Sequence, residues 1–287
     1  MLPGLFNNIL VPVNFSDNTE AAVKQAIGLA HEGSSNIHLL HVIKSKSMGT
    51  VISNDIEMEI SGGKNYYAEE MMKKLQQWKY VIEETIPASK VRIHLVEGAV
   101  HDVIIDTAKK IQPQLIIIGK KSNYKFFAFS RPLCPNELAT LTDCPVLTVS
   151  KDSVSTKIKT IVVPIRSFIP KRKIELVYGF AKIFRAKIHL VSLQNKLGAS
   201  DTERNALLDT YNILKMGLNN QIEYHLLNSS NLPKATLQYA ESVGADMIFV
   251  NPGIETKISS LTGKHINEVL APSSKLKILF VEPLHDK

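Results

Sequence analysis

Short runs of β-branched and other apolar residues alternate along this chain with segments whose apolar positions recur every three or four residues. In the first half the runs are Asn8–Val13, Ile37–Val42, Val91–Val96, Leu115–Ile118 and Val146–Val149. Continuous apolar runs separated by helical patterns are the signature of parallel strands buried on both faces. The first helix is predicted from Ser16-Asp17, residue types suited to an N-cap, with Ala22, Ala26, Leu29 and Ala30 on one face. A second covers 65–84, with Met71, Leu75, Trp78 and Ile82 at helical spacing as core. A third carries Val103, Ile104, Thr107 and Ala108, and a fourth covers 136–141. Five strands joined by four crossovers make a doubly wound α/β sheet.

The pattern then repeats. Asn8–Val13 matches Thr160–Ile165, and Ile37–Leu40 matches Ile188–Val191. Leu115–Ile118 matches Met247–Val250, and Pro145–Val149 matches Lys277–Val281. The offsets are 152 and 151 residues for the first two pairs and 132 for the last two. The drop assigns an extra segment to the first half, placed at the polar, glycine-containing stretch Lys44–Gly63. Two copies of one domain are therefore expected, 1–151 and 155–287, with a linker near Lys151–Ser155.

A length of 287 residues suits two such domains, and 44% apolar with 21% charged residues is ordinary globular composition. The longest apolar runs fall far short of the roughly 20 residues a membrane helix needs. The opening Met1–Phe6 lacks the basic region of a secretory signal, so a cytoplasmic protein is expected. Two cysteines, Cys134 and Cys144, exclude a disulfide scaffold and a four-cysteine zinc site. A regulatory disulfide between them is the minor alternative to reduced thiols. The net charge of +7 comes from scattered residues whose tightest group, Lys171-Arg172-Lys173, sits at a predicted helix start. With no aromatic or zinc-finger pattern beside it, no nucleic-acid partner is expected.

In doubly wound sheets, ligands sit beyond the carboxyl ends of the strands where strand order reverses. The segments there are Asn14–Asp17 and Gly119–Leu133 in the first half, Arg166–Pro170 and Asn251–Lys264 in the second. The Ile9-Leu10-Val11-Pro12-Val13 strand, Leu40-His41-Val42, Val96-Glu97-Gly98 before the third helix, and Cys144-Pro145-Val146-Leu147 together resemble the universal stress protein family. The resemblance spans nearly the whole chain as two tandem domains, the second more divergent. It implies two Rossmann-like domains of the adenine nucleotide alpha hydrolase-like type, each a five-stranded parallel sheet flanked by helices. It further implies an intramolecular pseudo-dimer in which the final strands Pro145–Val149 and Lys277–Val281 pair, and it leaves a homodimer open.

Nucleotide-binding members of that family carry an Asp after the first strand and a G-x2-G-x9-G-[ST] loop after the fourth. Glycines let backbone N–H groups approach phosphate at a helix N-terminus. The first half departs from this: Asn14 stands at the Asp position, Gly119 keeps the first glycine, Ser122 replaces the second, and Pro132-Leu133 replaces the Gly-Ser pair. Proline supplies no N–H and leucine no hydroxyl. Phe126, Phe127 and Phe129 are expected to pack over a cleft that no longer takes nucleotide. In the second half Arg166 takes the Asp position, and Asn251-Pro252-Gly253 is followed after nine residues by Gly263-Lys264. Arg166, Asn251, Gly253, Gly263 and Lys264 are the candidate residues for a small anion or phosphate, against a solvated rim whose glycines only make turns.

Other signals carry less. Ser61-Gly62-Gly63-Lys64 follows no strand, and Gly263-Lys264 lacks the first glycine of a phosphate-binding P-loop, Ile258 standing there. The histidines form no H-x3-H pair on a helix. His38, His94, His189 and His225 lie in strands at matching places in the halves and read as structural, with no metal expected. No catalytic constellation is legible. The resemblance thus implies a non-enzymatic stress-response module with degenerate nucleotide sites and no cofactor. The alternative is binding of ATP, another adenine nucleotide or a small anion through the second half, with weak hydrolysis.

Overall fold

A computed structural model describes residues 5–30, 35–43, 50–53, 56–59, 66–120, 133–153, 157–194, 201–253, 255–258, 265–270 and 274–283. The chain divides into two compact units, 1–156 and 157–287.

The first unit runs β1 (Asn8–Pro12), α1 (Asp17–Ala30), β2 (Asn36–Ile43), β3 (Thr50–Ser53), β4 (Ile56–Glu59), α2 (Tyr66–Thr85), β5 (Lys90–Glu97), α3 (Val100–Ile111), β6 (Leu115–Gly119), α4 (Pro135–Thr142) and β7 (Val146–Val149). Its strand order is β7-β6-β1-β2-β5-β4-β3. The five expected strands are present and parallel. Two more arise inside the segment expected only as a polar insertion: β4 joins β5 in parallel, and β3 pairs antiparallel with β4. The insertion therefore widens the sheet and covers the edge that β5 would otherwise expose.

The second unit runs β8 (Thr160–Pro164), α5 (Lys171–Phe184), β9 (Lys187–Leu193), α6 (Asp201–Gly217), β10 (Ile222–Leu227), α7 (Leu232–Ser242), β11 (Met247–Val250), α8 (Ile266–Val269) and β12 (Lys277–Phe280). Its order is β10-β9-β8-β11-β12, with parallel pairing throughout. Strand order reverses between β1 and β6 in one unit and between β8 and β11 in the other.

The central strands are buried on both faces, as their apolar runs require: Ile9, Leu10, Val11, Ile116, Ile117, Ile161, Val162, Val163, Ile248 and Phe249 are fully enclosed. β10 differs. Ile222 is buried at its start, but beyond it exposed Tyr224 and Leu226 alternate with half-buried Glu223, His225 and Leu227, as on an edge strand. Equivalent side chains secure the first strand of each unit. Gln114 Oε1 accepts from the N–H groups of Asn7 (2.5 Å) and Asn8 (3.2 Å). Asp246 Oδ2 accepts from Lys159 (2.7 Å) and Thr160 (2.9 Å). Cys134 and Cys144 form no disulfide with each other, and buried Cys144 Sγ donates to Pro113 O at 3.0 Å. Among the described residues no helix is long and apolar enough to cross a membrane.

Candidate functional site

At the switch point of the first unit, Asn14 Oδ1 accepts from the backbone N–H (3.2 Å) and hydroxyl (2.7 Å) of Ser16, closing a small turn before α1. Phe15, inside that turn, has φ 58°. Among the described non-glycine residues with positive φ, Gln112, Asp143 and Arg185 end helices, whereas Phe15 lies between β1 and α1. A left-handed conformation costs an L residue roughly 1–2 kcal/mol. It aims the Phe15 ring at His41 (5.0 Å between centroids) and edge-on at Trp78 (5.3 Å), with Lys74 Nζ 5.7 Å from its centre. Trp78, expected in the core, is only half-buried and belongs to this cluster. His41 Nδ1 lies 2.8 Å from Val13 O. A carbonyl only accepts, so Nδ1 carries the proton. Burial lowers the pKa of His41 and keeps the ring neutral.

Gly119 has a structural role at this point. A Cβ there would lie 2.7 Å from the Asn18 backbone, so glycine is what lets α1 close onto the end of β6. Asn18 then accepts the Lys151 N–H at 2.9 Å. Burial pulls the neighbouring Lys120 down to about 8. Leu133 is half-buried just before α4. Ser122, Phe126, Phe127, Phe129 and Pro132 lie outside the described residues.

In the second unit a buried ion pair occupies the corresponding place. Lys173, in the first turn of α5, is wholly enclosed. Its Nζ donates to Pro164 O at the end of β8 (2.7 Å) and to both Glu255 oxygens (2.9 and 2.7 Å). Glu255 Oε2 also accepts the Asn251 N–H at 2.6 Å, and Asn251 Nδ2 donates to Val281 O at 2.7 Å. Burial pulls the Lys173 pKa down and pushes the Glu255 pKa up, and each charge opposes the shift in the other. Further along, Gly253 has φ 84°, and its N–H donates to Thr256 Oγ1 at 3.1 Å. Thr256 Oγ1 donates back to Gly253 O at 3.1 Å and lies 3.2 Å from His265 Nδ1.

The candidate residues of this unit are thus dispersed among internal partners. Arg166 Nη2 reaches Glu203 Oε1 on α6 at 3.5 Å, Asn251 is buried beneath Glu255, and Gly253 sits on the exposed turn. Gly263 and Lys264 lie outside the described residues. Sequence reasoning missed Lys173 and Glu255, having grouped Lys173 with a surface basic cluster. The duplication carries the signal that could have found them. Buried Ala22, Val23, Ala26, Leu29 and Ala30 of α1 correspond, 151 residues on, to buried Lys173, Ile174, Val177, Phe180 and Ala181 of α5. A lysine in a core column demands a buried partner.

The strand histidines also form contacts. His38 Nδ1 lies 3.0 Å from His94 Nε2, and burial, with His94 and Arg92 adding to it, lowers His38 to about 4. The matching pair differs. His189 Nδ1 is 2.8 Å from the Tyr239 hydroxyl and 3.8 Å from Glu223 Oε2, and His225 Nε2 is 3.4 Å from the same oxygen. His189, Glu223 and His225 offer ligand atoms all within 4.8 Å of one another.

The sequence profile of the Universal stress protein family matches residues 5–150. Among solved structures, a universal stress protein from Archaeoglobus fulgidus is similar over 96% of this chain and 98% of that one, at 16% identity and a TM-score of 0.66. A functionally unknown protein from Pseudomonas aeruginosa PAO1 is similar over 98% of this chain and 94% of that one, at 16% identity and a TM-score of 0.58. At these identities the likeness is one of fold.

Proposed function

The chain belongs to the universal stress protein family, and from that premise we propose that it is a tandem, non-enzymatic stress-response member whose second unit is also a family domain and whose nucleotide sites are filled from within. The observation that carries this reading is the Glu255 carboxylate. It lies at the switch point between β8 and β11, bound to the Lys173 ammonium and the Asn251 N–H. The resemblance implies a loop there that offers amide donors to phosphate. Here the chain's own anion takes the Asn251 donor, and the Thr256 hydroxyl takes that of Gly253. A phosphate would have to displace a carboxylate already neutralised by a lysine, leaving a buried charge without its partner.

The first unit supports the same reading by different means. Asn14 is engaged with Ser16, Phe15 turns inward onto His41 and Trp78, and Gly119 is used for helix packing. Such a module acts through its surfaces on a partner, without turnover.

A ligand that binds only the native state raises Tm by mass action. The full chain heated with millimolar Mg-ATP should therefore show no upward shift, and protein purified without added nucleotide should release no adenine-absorbing ligand on denaturation. A clear shift or a stoichiometric release would overturn the proposal in favour of nucleotide binding. A shift with inorganic phosphate alone would favour the small-anion site at Arg166, Asn251, Gly253, Gly263 and Lys264.

A further inference from the structure

We propose that His189, Glu223 and His225 form a binding site for one divalent transition-metal ion of the Zn2+ class on the sheet face of the second unit. The placement follows from strand geometry. Glu223 on β10 stands directly across from His189 on β9. His225, two residues further along β10, projects from the same face because side chains alternate along a strand. The edge position of β10 leaves Glu223 and His225 partly open to solvent, so an ion has a way in.

The donor atoms are nearly in place. Zinc bonds of about 2.0–2.1 Å at tetrahedral angles hold ligand atoms roughly 3.3 Å apart. Glu223 Oε2 lies 3.4 Å from His225 Nε2 and 3.8 Å from His189 Nδ1. His225 Nε2 is shielded from solvent and, among the described residues, meets no partner at good hydrogen-bond geometry. Its 3.4 Å approach to the carboxylate is longer than a well-formed N–H···O bond. The other carboxylate oxygen, Oε1, is held by Lys187 Nζ and Gln221 Nε2, each at 2.9 Å. Those contacts turn Oε2 toward both imidazoles, as second-shell partners of metal ligands do. The Tyr239 hydroxyl lies beside His189 Nδ1 and would release that bond to the ion. Two imidazoles and one carboxylate suit zinc and its neighbours, with a fourth position for water.

The first unit is an internal control. Its histidines occupy the repeat-related strand positions, but Arg92 stands across from His38 where the second unit has Glu223. The two rings there bond to each other at 3.0 Å. A cation in place of the carboxylate, with ring nitrogens turned on one another, disfavours an ion.

Titration of the metal-stripped full chain with Co2+, followed by its visible absorption, then displacement by Zn2+, tests the assignment. One ion per chain is expected. Glu223→Gln and His225→Gln, both partly exposed edge-strand positions, should each weaken binding about tenfold or more. His38→Gln should leave it unchanged. Absence of binding by the wild type, wild-type affinity in both second-unit variants, or an equal loss in His38→Gln would each overturn the site.

Discussion

The two units satisfy repeat-related positions with different chemistry. The amide of Gln114, just before β6, and the carboxylate of Asp246, just before β11, each accept from the two N–H groups that lead into the first strand of their unit. On the buried face of the first helix, Ala22 stands at the repeat-related position where the second unit buries Lys173 against Glu255. On the strand pair, two imidazoles bond to each other in one unit and gather around Glu223 in the other. At these positions the first unit pairs neutral and aromatic groups, with Arg92 the cation facing His38, whereas the second pairs ions. A fold of this kind needs its donors and acceptors paired but does not dictate whether the pairing carries charge. The choice decides how each unit answers to mutation, pH and added ions.

The largest expected effect lies at the buried pair. Lys173→Met should destabilise the second unit by about 3–5 kcal/mol, because Glu255 would remain enclosed without its cation. Hydrogen exchange of the β8 and β11 amides in the full chain reports on it directly. The single tryptophan, Trp78, lies in the first unit, so its fluorescence transition reports that unit. Exchange in β11 as slow as in the wild type would remove the ion pair from the account of this unit's stability. Lys173→Met/Glu255→Gln, which removes both charges but keeps an acceptor for Asn251, should recover much of the loss.

A medium effect separates the units by pH. His38 is held at about 4 in the folded state, against 6.5 for the unfolded chain, by burial, the facing His94 and the cation of Arg92. Its folded pKa is depressed, so between these values the unfolded state binds the proton. Stability of the first unit should fall as pH drops below 6.5, with the loss complete once pH has passed below 4. The total is roughly 3 kcal/mol. Denaturant melts followed by Trp78 at several pH values should show this slope. His38→Gln, which cannot titrate, should flatten it, and an unchanged slope in that variant would assign the acid sensitivity elsewhere.

How much of this was legible in sequence follows from the same contrast. The parallel strands stood out because burial on both faces forces continuous apolar runs such as Leu115–Ile118 and Met247–Val250. Asn14, Gly119 and Arg166 were legible as departures from, or survivals of, a family pattern, although the packing role of Gly119 against Asn18 needed coordinates. The β3–β4 hairpin was not, because four-residue strands with interleaved acids look like a polar insertion. Lys173 hid in a basic triplet whose other members are exposed (Lys171) or half-buried (Arg172). Glu223 and His225 hid because two-residue spacing makes a cluster only on a strand, and only once the strand opposite is known. Trp78 fitted a helical core stripe by spacing, yet the inward turn of Phe15 draws it to the site.

The smallest expected effect lies at the rim of the second unit. Arg166 is partly exposed and meets Glu203 at 3.5 Å, a distance and setting worth under about 1 kcal/mol. Its charge also favours the ionised form of Glu255. Arg166→Ala should therefore shift second-unit exchange protection only slightly, far less than Lys173→Met. The comparison sharpens with sulfate. Sulfate stabilises folded proteins generally by exclusion from their surfaces, so some gain is expected in both proteins. If the second unit is filled by its own Glu255, wild type and Arg166→Ala should gain equally at matched ionic strength. A gain confined to the wild type would mean that Arg166 holds an external anion, and the contrast between a neutral unit and a self-paired ionic unit would fail at this position.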